Sequence, residues 1–96
     1  MIRLGNYSTG ANARFVILEG ITVWFSYATP VAIGYVRADG ETVRIVRANE
    51  WGPTTGRHLN AIDNGNGSRW NSDRFETLLS ALLGDSLQRA VKALEV

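Results

Sequence analysis

The chain has 96 residues and a mass of 10.5 kDa, the size of one small domain, with 45% apolar and 20% charged residues. That balance excludes a disordered chain, and the longest unbroken apolar run, Phe15 to Leu18, excludes a transmembrane helix, which takes roughly 20 such residues. Cysteine is absent, which rules out disulfides, thiolate metal sites and cysteine nucleophiles, and a net charge of +1 is far from that of an obligate nucleic-acid binder. The first residues lack the apolar stretch of a signal peptide, so no membrane partner is expected. Nine of the ten basic residues are arginine, a bias that GC-rich codon usage explains most simply.

In chain order, residues 13–19 and 21–27 are β-branched and aromatic, and Gly20 between them signals a tight hairpin. In the second segment Ile21, Val23, Phe25 and Tyr27 alternate with Thr22, Trp24 and Ser26, as on the two faces of a strand. Pro30 cannot donate to a central ladder and predicts a bend or bulge. Extended patterns follow at 31–37 and 42–47 around an Asp39-Gly40 turn, and residues 2–4 could add an edge. These segments predict an antiparallel meander of about four strands.

Downstream of residue 50 the pattern turns helical. Pro53 with Thr54 and Thr55 is a start signal for a short helix, and Asn64-Gly65-Asn66-Gly67 reads as a loop. Ser72 is a suitable N-cap for a helix carrying Phe75, Leu78, Leu79 and Leu82 on one face, which Gly84 ends. Leu87, Ala90, Val91 and Leu94 repeat the stripe in a last helix. The expected architecture is α+β over a single domain, 1–96, with the short helix and the two C-terminal helices packed on one face of the sheet.

The blocks Phe25-Ser26-Tyr27-Ala28-Thr29-Pro30-Val31-Ala32 and Trp51-Gly52-Pro53-Thr54-Thr55-Gly56-Arg57-His58-Leu59-Asn60 stand in this order. Together they resemble a small uncharacterised domain of bacteriophages and their actinobacterial hosts, over about residues 14–83. The resemblance implies a phage accessory protein acting in the bacterial cytoplasm, and it carries no established activity. Its signature falls on Thr54, Thr55, His58 and Asn60.

His58 is the only histidine, and general-base chemistry on it needs a second titratable group, for which Glu50 and Asp63 are the candidates. A metal site is weaker still, since one histidine without cysteine leaves carboxylates to complete it. The more economical role for His58 and Asn60 is to hydrogen-bond backbone groups and so lock the loop onto the sheet. No catalytic residue, cofactor or metal is therefore assigned.

The expected function is a non-enzymatic accessory protein that binds an unidentified host or phage protein. Its surface would comprise Trp51, Thr54, Thr55, Arg57, His58, Asn60 and Arg69, where aromatic and arginine anchors gather. The alternative is a nucleic-acid-binding module: a two-residue Asp39-Gly40 turn would set Tyr35 opposite Arg44 and align both with Arg37 on one face. A His58-dependent hydrolase or nuclease ranks last. The sheet face left free by the helices also leaves a homodimer open.

Overall fold

The computed structural model describes residues 2–8, 12–18, 20–27, 29–48, 53–63 and 69–94. Five strands run as an antiparallel meander: β1 (Ile2–Asn6), β2 (Ala13–Leu18), β3 (Ile21–Ser26), β4 (Thr29–Val36) and β5 (Thr42–Arg47). Helix α1 (Pro53–Asp63) leads to a two-residue strand, β6 (Arg69–Trp70), which pairs parallel to β5. Helices α2 (Ser72–Leu83) and α3 (Ser86–Leu94) complete the chain. The α+β class is as expected, but the sheet is mixed and has six strands rather than four in a pure meander.

The expectation that all helices share one face is also corrected. Strand alternation sends Val16, Leu18, Val23, Phe25, Ile33 and Ile45 to a first face, where Phe75, Leu79 and Leu83 of α2 and Ala90 of α3 bury them. On the second face Val31, Ala32 and Val46 pack against Leu59 and Ile62 of α1. The strands are apolar on both sides in their central part, so one helical layer could not bury them all.

Pro30, expected in a bend or bulge between strands, lies instead within β4, at a break in its register with β3. Trp24 pairs with Ala32 while Phe25 pairs with Pro30, which leaves Val31 as the extra residue of a bulge. The bulge admits both Val31 and its neighbour Ala32 to the α1 side of the core.

The β4–β5 hairpin differs from expectation by one residue. Arg37 N–H donates to the Glu41 carbonyl at 2.8 Å, so the loop is Ala38-Asp39-Gly40, with Gly40 at φ +88°. A three-residue loop with glycine in the left-handed region is the next commonest hairpin after the two-residue turn. Tyr35 consequently pairs with Val43, and Arg44 with Gly34. The slip sends Tyr35 to the first face, packed on the core, and Arg44 to the second. Arg37 is bound to Asp39 and Glu41, at 2.7 and 3.1 Å. The predicted Tyr35–Arg37–Arg44 face therefore does not exist.

Helix α2 is capped by Asn71 instead of Ser72: the Asn71 side chain accepts from the Arg74 N–H at 2.9 Å. No helix among the described residues is long and apolar enough to cross a membrane.

Candidate functional site

The two sequence blocks meet where α1 crosses the end of β3. Leu59 and Ile62 anchor α1 to the second face, and that packing drives the preceding residue, His58, into the junction. There Nδ1 of His58 lies 2.7 Å from Oγ of Ser26, the last residue of β3. Both are buried, at 6% and 2% exposure. The Tyr7 ring meets His58 edge-on at a centroid distance of 6.0 Å, and the Tyr27 ring lies 6.2 Å away at a tilt.

These tyrosines are held by the backbone. Tyr7 donates its hydroxyl to the Phe25 carbonyl at 2.8 Å, and burial pushes its phenol well above the usual range. Tyr27 sits in the turn to β4 with φ 59°, an uncommon conformation for a side chain of its size, and its N–H donates to the Asn12 carbonyl. Burial, with a smaller contribution from the Arg57 charge, holds the His58 pKa below its ordinary value of 6.5. A neutral histidine matches this apolar, aromatic setting.

Asp63, the candidate partner for His58, is engaged elsewhere. Arg69 of β6 grips it with two bonds, Nε to Oδ2 at 3.0 Å and Nη2 to Oδ1 at 3.1 Å. The same guanidinium reaches Oδ1 of Asn60 at 2.9 Å. This fork ties the last turn of α1 to the short parallel strand. Of the residues assigned to a binding surface, Asn60 and Arg69 come together in this fork, while His58 turns inward to Ser26. Arg57 is exposed beside them. Thr54 and Thr55 fall in the first turn of α1, with side chains outside the described part, and Trp51 and Glu50 lie outside the described residues. Among the described residues no cluster of carboxylates and histidine could hold a metal ion.

A second feature had no sequence signal of its own. Helix α1 covers only one end of the second face. Beyond it, register aligns Arg3, Ile17, Thr22, Gly34 and Arg44 in one row across β1 to β5. Beside this row Trp24 extends over Gly34, where a β-carbon would sit 3.0 Å from its ring, and Phe15 extends over Gly5 in the same way. Aromatic rings over strand glycines restore packing that the missing side chains forgo. A shallow groove of about 390 Å³ lies here, with Trp24, Gly34, Val36 and Arg44 among its lining.

Comparison with family models locates the chain. Residues 2–76 match the model of a family of unknown function, DUF8033. The chain belongs to that family. The match takes in the whole meander, α1, β6 and the start of α2, hence both the Ser26–His58 junction and the Arg3–Arg44 row, and ends before α3. The family description assigns no activity and no phage origin. No curated protein and no solved structure matches the chain.

Proposed function

We propose that the protein is a non-catalytic binding module whose contact surface is the uncovered half of the second sheet face. The observation that carries this reading is the contrast between the four arginines of β1 to β5. On the first face Arg14 donates to the Leu94 carbonyl and Arg47 binds Glu76, so both are used in packing the helices. On the second face Arg3 and Arg44 are exposed, and among the described residues neither has a partner. Exposed arginines beside an aromatic side chain and a groove are the usual anchors of an interface.

The non-catalytic part of this reading is supported by the hydrogen bonding at the junction. Ser26 and His58 are buried against each other, and Asp63, one of the two acids considered as a partner, is bound by Arg69. A bacterial setting belongs to this proposal through the resemblance of the two sequence blocks. The contact surface moves from the Trp51–Arg69 segment, where His58 is bonded to Ser26 and Arg69 to Asn60 and Asp63, to the Arg3–Arg44 row.

The test is retention of material from a bacterial lysate by the immobilised full chain and by an Arg3→Glu/Arg44→Glu variant with the same melting temperature. Material held by the first and lost by the second supports the surface. Equal retention by both overturns it.

A further inference from the structure

We infer that the ligand of this surface is single-stranded nucleic acid, an inference that rests on the binding-module reading above. Charge comes first. Strands β1 to β5 contain no acidic residue at all, so the row from Arg3 to Arg44 presents positive charge with nothing on the strands to offset it. Asp39 and Glu41, in the loop between β4 and β5, are both held by Arg37. Such a face fits an anion and opposes a second copy of itself, since a two-fold stack would confront four arginines with no counter-charge.

Shape narrows the anion. Four inter-strand spacings separate Arg3 from Arg44, about 19 Å at about 4.8 Å each. A single phosphate or small carboxylate cannot bridge that span, whereas a polymer with regularly spaced phosphates can. Between the arginines lie Ile17, Thr22 and Gly34, uncharged and low, beside the Trp24 ring and the exposed Val36. An unpaired strand can lay its backbone along the arginines and turn a base onto Trp24, because single strands offer free π-faces that a duplex keeps stacked. The modest charge also suits this ligand, for stacking supplies affinity that two phosphate contacts alone would not.

The experiment is fluorescence anisotropy of the full chain with a labelled oligothymidylate of about 10 nucleotides, and with a duplex of equal length, at low and raised salt. The expected result is binding of the single strand in preference to the duplex, weakening as salt rises. Arg3→Glu/Arg44→Glu should lower the affinity at least about tenfold, while Arg3→Lys/Arg44→Lys, which keeps the charge, should stay within a few-fold of wild type. Ultraviolet cross-linking should place a nucleotide adduct on the peptide containing Trp24, a readout independent of any substitution. No binding at low salt, equal binding of the duplex, or affinity unchanged in the glutamate variant overturns the inference. If nucleic acid fails while lysate retention still depends on Arg3 and Arg44, the surface stands and its ligand is an acidic protein. If that dependence fails too, both readings fall.

Discussion

Ser26 and His58, 32 positions apart in sequence, share a buried hydrogen bond of 2.7 Å that fastens helix α1 to the end of strand β3. Removing the hydroxyl leaves Nδ1 of His58 enclosed without that partner. Ser26→Ala should therefore lose about 1–3 kcal/mol of unfolding free energy, read from the urea midpoint at constant slope. A variant with the wild-type midpoint would show that the pair contributes nothing to the fold.

The lowered pKa of His58 makes stability depend on pH. The unfolded chain takes up a proton near 6.5, but the folded chain resists it because burial and Arg57 disfavour the imidazolium. The unfolded state thus binds more protons below 6.5, and stability falls as pH drops through that value, levelling once the folded histidine also titrates. Urea midpoints measured from about pH 8 to about pH 5 should show this decline, and His58→Gln should remove it. A slope that persists in the variant assigns the effect to other groups.

Arg69 and Asp63 connect α1 to β6 through a two-pronged ion pair, with Asp63 almost fully buried. A double-mutant cycle with Asp63→Asn and Arg69→Gln should give a coupling energy of about 1–3 kcal/mol. Coupling near zero would mean that α1 is held by Leu59, Ile62 and His58 alone.

Arg47 and Glu76 form an ion pair whose two ends differ in environment, with side chains 5% and 63% exposed. Arg47 also donates to the Pro30 carbonyl at 3.2 Å and lies 5.2 Å over the Phe75 ring. Replacing Arg47 by Met should cost about 1–3 kcal/mol, because a part-buried carbonyl loses its donor. Glu76→Gln should cost less than about 1 kcal/mol, since its charge remains in water. Equal losses would show that the ion pair dominates.

The strands and helices that pack on their own pattern were legible in the sequence. Alternation in Ile21–Ser26 and the apolar stripe from Phe75 to Leu82 mark their elements because each buries a periodic face, to which the structure adds Leu83. Strand β6 has no such pattern: Arg69 and Trp70 become a strand only because α1 returns the chain beside β5. The Asp39-Gly40 pair suits either a two-residue or a three-residue loop. Local bonds distinguish them, with Asp39 accepting from the Glu41 N–H and Arg37 clamping both acids.

The candidate site was legible in part. The sequence suggests backbone partners for His58 and Asn60, whereas the bonds go to the side chains of Ser26 and Arg69, and nothing local sets Ser26, Tyr7 and Tyr27 beside His58. Their distance along the chain carries no local signal. The Arg3–Arg44 row was beyond reach for the same reason, since it takes one residue from each of five strands and every register must be known to align them.

From its amino acids alone this chain determines an α+β domain with a meander first and helices after, because hydrophobic periodicity and turn residues act over neighbouring positions. The tertiary structure decides which face each helix covers, the one-residue slip that parts Tyr35 from Arg44, and the union of Ser26 with His58. Those outcomes depend on pairing register and on competition for two apolar sheet faces, quantities that exist only once distant segments are packed together.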